Sequence, residues 1–257
     1  IDTKALNKIN IRGENSFISL KQLQGGGWEE TSLKYEADIS SIQDLLLKLS
    51  QIKLGDLITK NAEHHDRFKL IEPPDNIEKW SKDFHGNSVT LLKGDGTIIL
   101  SLLLGKNRKN GEGQYMRHNG SAKVYLIPES LSINTNVDDW LNKELLNLDS
   151  NLVTSIKLND NLDNVFNINR NNANAEWESS NESNLPEKRK IQNVLDRLSA
   201  LSFSKLLVRD EDNENKLSSS EKTLIITLFD GRLYTLKLQR NSKSNENYLL
   251  SLRMGIL

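Results

Sequence analysis

The chain has 257 residues, enough for one large domain or two small ones. Its formal net charge of −1 gives no overall pull toward nucleic acid or an anionic membrane. It has no cysteine, which excludes disulfides, thiolate metal sites and cysteine nucleophiles.

The opening residues Ile9-Asn10-Ile11 and Phe17-Ile18-Ser19-Leu20 alternate as β-strands do. Gly25-Gly26-Gly27 ends the second run and Trp28 restarts the chain. Asp38 reads as a helix cap. Ile39, Ile42, Leu45, Leu46, Leu49 and Ile52 then form one helical stripe, which Gly55 is expected to end. A polar stretch over 59–87, with Pro73-Pro74, reads as a long connection. Residues 89–92 and 97–104 flank the turn Gly94-Asp95-Gly96 and predict a hairpin. A loop over 105–113 leads to a second strand pair at 114–117 and 123–127. Asp138-Asp139 is expected to cap a short helix carrying Trp140, Leu141, Leu145 and Leu146.

The same order then recurs. Trp177 answers Trp28. Strands are expected at 153–158 and 165–168, and Asn171 to Asn174 stand in place of the glycine triplet. Pro186 is expected in a first helical turn, before a stripe of Ile191, Val194, Leu195, Leu198 and Leu201. A polar segment at 209–222 replaces the long connection. Residues 224–229 and 233–238 flank Asp230-Gly231 as a hairpin, and 248–252 answers the strand with Tyr115. An amphipathic helix and a half-apolar sheet bury each other, so the pattern predicts an α+β fold. Two tandem similar units are expected, at 1–150 and at 151–257; no counterpart of the Trp140 helix follows in the second, so either that unit is shorter or the native chain continues past Leu257.

The repeat serves as a control on candidate sites. A phosphate-binding loop needs Lys-Ser/Thr after its glycines, but Trp28-Glu29-Glu30 follows and the other unit has asparagines there. Asp95 lacks the further oxygen ligands of a calcium loop, and Asp230-Gly231 marks the same hairpin turn. His64, His65, Asp66 and His85 show no zinc-ligand spacing, and the second unit has no histidine. No carboxylate pair or Gly-x-Ser-x-Gly elbow stands in a catalytic context. The sequence therefore suggests neither enzyme, metal nor cofactor. Trp28 and Trp177 read as packing residues. Lys106, Arg108 and Lys109 form a basic loop with Tyr115 and Arg117 beyond it, a candidate contact for a partner or an anion. Arg240 and Lys243 stand in the comparable loop of the second unit.

An ordered set of elements carries a resemblance. Gly105 closes a strand, Tyr115-Met116-Arg117 and Val124-Tyr125-Leu126 follow, and then Trp140-Leu141-Asn142-Lys143-Glu144-Leu145-Leu146. This set resembles the bacterial domain-of-unknown-function 4340 family. The resemblance implies an extracytoplasmic accessory protein on the periplasmic side. It also implies an N-terminal membrane tether, which these residues do not contain, and an ABC transporter of the gliding-motility type nearby. The expectation is a non-enzymatic scaffold that binds protein subunits of a membrane complex. The alternative is a ligand-binding module for a polyanion or glycan between the two units.

Overall fold

The computed structural model describes residues 3–14, 16–74, 77–109, 111–160, 163–179, 185–206, 217–241 and 248–256. They form an α+β fold dominated by antiparallel sheets. The chain divides into two compact units, Ile1–Asn142 and Lys143–Leu257.

The first unit opens with β1 (Leu6–Gly13), β2 (Ser16–Gln22), β3 (Trp28–Glu30) and β4 (Tyr35–Glu36). Helix α1 (Ile39–Ser50) follows, then β5 (Leu57–Thr59), β6 (Asn87–Lys93), β7 (Ile98–Asn107), β8 (Gln114–His118) and β9 (Val124–Ile127). All nine strands join one sheet in the order β4-β3-β2-β1-β6-β7-β8-β9-β5. Alternation explains its two faces. Ile9 and Ile11, Ile18 and Leu20, Val89 and Leu91, and Leu102 and Leu104 point to one side and are buried there. Ile42, Leu45 and Leu49 of α1 cover that side at helical spacing. Each such side chain contributes roughly 1.5–3 kcal/mol when fully buried. Asn10, Ser19, Thr90 and Ser101 occupy the back face, where Ser19 donates to Asn10 at 3.1 Å and the Thr90 and Ser101 hydroxyls meet at 2.8 Å.

Asp38 caps α1 through the Ser40 and Ser41 amides, each at 3.1 Å. The helix stops at Ser50, five residues short of Gly55, and Gln51 closes it with bonds to the Leu47 and Lys48 carbonyls. Trp28 is buried in the core beneath α1, as its place in the sequence suggested.

The expected Trp140 helix does not form. Residues Val137–Trp140 make a single 3-10 turn capped by Asn136. The Trp140 carbonyl and the Asn142 amide are engaged elsewhere: the Asp38 N–H donates to the Trp140 carbonyl at 2.8 Å, and the Asn142 N–H donates to the Glu36 carbonyl at 2.9 Å. Backbone groups spent on residues 36–38 cannot continue a helical ladder. Leu141 bridges Ala37 instead.

The second unit begins with β10 (Glu144–Leu146), so Leu145 and Leu146 lie on a strand. It continues with β11 (Val153–Asp160), β12 (Asp163–Asn169), β13 (Glu178–Ser179), α2 (Lys188–Leu198), β14 (Leu201–Ser202), β15 (Leu217–Leu228), β16 (Arg232–Asn241) and β17 (Tyr248–Ile256). Six strands form a sheet in the order β13-β12-β11-β15-β16-β17. That order parallels β3-β2-β1-β6-β7-β8 of the first unit. Strand β10 pairs with β14, and Leu146 and Leu148 join the core with Ile191, Leu195 and Leu198 of α2. The break between units therefore falls before β10 and not after Ser150. Pro186 stands ahead of α2, whose N-terminal cap is Glu187 with no capping bond from its side chain. Of the polar segment at 209–222, residues 209–216 lie outside the described residues, and 217–222 belong to β15.

Candidate functional site

The five residues singled out at the β7–β8 turn separate into two groups. Arg108 and Lys109 are exposed, and the Arg108 amide closes the turn onto the Gly113 carbonyl at 2.9 Å. Lys106, Tyr115 and Arg117 turn instead toward the connection that follows β5. Lys106 Nζ stands 6.0 Å from the Phe68 ring centre. The Tyr115 ring packs on Phe68 with centroids 4.5 Å apart. Arg117 is buried, which corrects its reading as a surface contact.

The stretch between β5 and β6 is therefore a strap and not a free polar loop. Three short 3-10 turns at Ala62–His64, Asp66–Phe68 and Ile77–Lys79 shorten it. Leu70 is fully buried and joins Leu103 and Val124 in a second small core on the back face, with Phe68 and Tyr115 against it. The strap backbone comes so close that glycine is required beneath it. A Cβ on Gly105 would stand 2.1 Å from the Phe68 carbonyl oxygen, and one on Gly86 would stand 1.9 Å from that of Leu104.

Arg117 fastens this strap. Its Nε donates to the Leu70 carbonyl at 2.7 Å, and Nη1 donates to the carbonyls of His118 and Ser121 at 3.3 and 3.2 Å. Nη2 reaches Glu72 Oε1 at 3.3 Å, and the Gly120 amide donates to the same oxygen at 3.2 Å. A buried guanidinium with its donors filled is satisfied and does not wait for a ligand. Three of the elements that carried the family resemblance converge here, and the Trp140 to Leu146 segment lies elsewhere. Gly105 admits the strap, Tyr115 and Arg117 grip it, and Val124 lies beneath it.

Two buried charged residues escaped the sequence reading. Glu30 is fully buried and accepts from the Ser19 amide, the Ser32 amide and hydroxyl, and the Leu33 amide, which closes the turn after β3. Arg170 donates to the Val153 carbonyl at 2.8 Å and the Ala173 carbonyl at 2.7 Å, and lies 4.7 Å over the Trp177 ring. Burial lowers the Arg170 pKa, yet a guanidinium stays charged. Trp177 is half-buried against the second core. Glu30 closes a local turn and takes only the Ser19 amide from another strand, whereas the Val153 and Ser150 carbonyls that bury Arg170 are brought in by the fold.

The remaining candidates resolve as turns and packing. His65 is buried and its Nε2 meets the Ala122 carbonyl at 3.1 Å, whereas His85 Nδ1 meets the Ser81 amide at 2.9 Å. Among the described residues no three metal-ligating side chains cluster. Asp95 and Asp230 each cap a hairpin turn. The Thr97 amide and hydroxyl lower the Asp95 pKa, and Arg232 lowers that of Asp230. Arg240 lies on β16, and Lys243 lies outside the described residues.

The open surface of the first unit lies along α1. Residues 127–132 and the end of the helix flank a groove of about 730 Å³. A second groove of about 510 Å³ continues along the helix toward Trp140 and shares Lys48 and Ser132 with the first. Together they follow α1 from Ser41 to Ser50, a path of roughly 14 Å at helical rise, and run on to Lys53 beyond its end. Their walls alternate Asp44, Lys48 and Lys53 with Glu129, Ser130 and Asn134. On the back face a smaller polar pocket of about 250 Å³ lies between Asn10, Ser88, Thr90 and Glu72.

No helix among the described residues is long and apolar enough to cross a membrane. No curated protein and no solved structure matches the chain. The family described as domain of unknown function DUF4340 matches residues 2–220, and the chain belongs to that family.

Proposed function

We propose that this protein is a non-enzymatic, partner-binding scaffold that holds an extended protein segment in the groove along α1. The groove's form carries the reading. It is long and open, and it mixes hydroxyls, amides and both signs of charge with apolar side chains such as Ile52, Ile127 and Leu131. A compact small-molecule site is instead concave and mostly apolar. Extended segments suit such a channel because side chains engage alternately along its length. The protein works on the extracytoplasmic side of a membrane, with subunits of an ABC-type transporter as its partners; this part rests on the family resemblance. The two units are tandem copies of one α+β fold, a reading supported by the shared strand order and by Trp28 and Trp177. The loops and the strap then carry what differs between them.

A second reading, a small polar ligand such as a glycan, is favoured by the back-face pocket at Asn10, Ser88 and Thr90. Purification from native membranes after crosslinking separates the two. Co-purification of membrane-complex subunits supports the scaffold. A protein recovered alone, with bound glycan, supports the alternative.

A further inference from the structure

We propose that the partner segment enters the α1 groove as an added β-strand, paired antiparallel with residues 130–134, with a basic side chain near Asp44 and an acidic one near Lys48 and Lys53. The inference rests on the scaffold reading of that groove and names its mode of recognition.

The wall that faces α1 has the pattern of a strand but lacks a strand partner. Residues 130–136 belong to no strand or helix, yet their burial alternates. Leu131 and Thr135 are half-buried and Ile133 is buried, whereas Ser130, Ser132, Asn134 and Asn136 are exposed. A period of two marks a strand with one face on a core, and Leu131 and Ile133 do pack in the core beneath α1. Among the described residues, no backbone–backbone hydrogen bond involves residues 128–135. The Leu131 amide donates to the Gln114 side chain at 2.9 Å. Successive amides of an extended chain point to opposite sides, so those of Ser130 and Ser132 turn away from Gln114. Ser132 lines both grooves, and its amide and carbonyl have no partner among the described residues. A free donor and acceptor on one residue are what an incoming antiparallel strand takes up.

The walls also carry an order of charge. Residues 127–132 lie by the end of α1 and residues 132–140 by its first turns, so this wall runs antiparallel to the helix. Asp44 and Asp139 line the groove at the Trp140 end. Lys48, Lys53 and Glu129 line the other. Asp44 and Lys48 are exposed and, although one turn apart, form no ion pair among the described residues. Every strand pair of the described sheets is antiparallel. A strand added in the same sense to residues 130–134 has its N-terminal end toward Trp140. Its basic residue therefore precedes its acidic one, by roughly two to four positions at the rise of helix and strand. Apolar side chains on its other face meet Ile52, Ile127 and Leu131.

The test uses the whole chain and two synthetic peptides of one composition, acetyl-Thr-Lys-Val-Thr-Val-Glu-Thr-amide and the same residues in reverse order. The first is expected to bind about tenfold more tightly than the second at low salt. In amide hydrogen exchange, binding should slow Ser130 and Ser132 and leave Leu131, already bonded to Gln114, as it was. Ser132→Pro removes a pairing donor and should weaken binding about tenfold. Asp44→Lys should weaken the first peptide and strengthen one with Glu in place of its Lys, a rescue that a merely structural role would not give. Equal or tighter binding of the reversed order, unchanged exchange at Ser130 and Ser132, or no binding at millimolar concentration overturns the proposal. If membrane-complex subunits co-purify while the peptides give any of those results, the strand mode fails and the scaffold reading stands. If the first peptide binds as expected and no subunit co-purifies, the scaffold reading fails instead.

Discussion

Arg117 and Glu72 are joined across 45 residues of chain, with Arg117 Nη2 3.3 Å from Glu72 Oε1. The arginine side chain is 4% exposed and the glutamate 53%. The two partners therefore carry unequal weight. Removing the arginine leaves the buried Leu70 carbonyl, and the half-buried Ser121 carbonyl, without their donor. Removing the glutamate leaves a guanidinium that still has three carbonyls to bind. Arg117→Ala is expected to destabilise the protein by about 3 kcal/mol, and Glu72→Ala by about 1 kcal/mol or less. Urea unfolding of both variants checks the ranking; equal losses would show that the ion pair, and not the carbonyl bonds, holds the strap.

The strap's contact with Gly105 gives a second expectation. A methyl group there meets the Phe68 carbonyl oxygen, a backbone atom that cannot swing aside. Gly105→Ala is expected to cost about 1–3 kcal/mol through overpacking. Gly25→Ala is the control, since nothing lies within 4 Å of the added atom. Proteolysis within 60–86 should accelerate in the first variant and stay unchanged in the second.

Asp38 links stability to pH. Burial pushes its carboxyl up, but the Ser41 and Ser40 hydroxyls and amides together outweigh that and lower its pKa. The folded state then holds its proton less tightly than the unfolded chain does. The stabilisation is present above the unfolded carboxyl pKa of about 3.9 and is lost as pH falls through the lower folded value. Asp38→Ala is expected to cost about 1 kcal/mol at neutral pH. Its difference from the unaltered chain should shrink in strongly acidic solution, as denaturation at pH 7 and pH 2.5 would reveal.

Much of the scaffold was legible in the chain because its signals are local. Apolar alternation placed β1, β2, β6 and β7, and the spacing of Ile42, Leu45 and Leu49 placed α1 with Asp38 at its start. The strap was not legible, since its anchors Phe68 and Leu70 are two apolar residues within a polar stretch. Their partners Leu103, Tyr115 and Arg117 come from distant strands. The Trp140 segment misled for a related reason. Its acidic start and spaced leucines suit a helix, yet residues 36–38 capture its backbone and Leu146 belongs to the second core. Arg108 and Lys109 stand in the expected turn, but nothing in the spacing reveals that Lys106, at the end of β7, and Arg117 turn toward the strap.

A fourth expectation concerns how a partner reads the groove's charge. If Lys48 and Lys53 contact a partner, their joint replacement by Glu should weaken capture of the bound subunit at least tenfold while leaving thermal unfolding within a few degrees. Loss of folding in that variant would mean that the two lysines hold α1 in place.

The most direct measurement of the scaffold reading is site-specific photo-crosslinking in native membranes. The reactive group is placed at Lys48, between the two grooves, and for comparison at Lys21 on β2, away from them. A discrete adduct with a membrane-complex subunit from position 48, and none from position 21, is the expected result. Equal labelling at both positions, or no adduct at position 48, would contradict it.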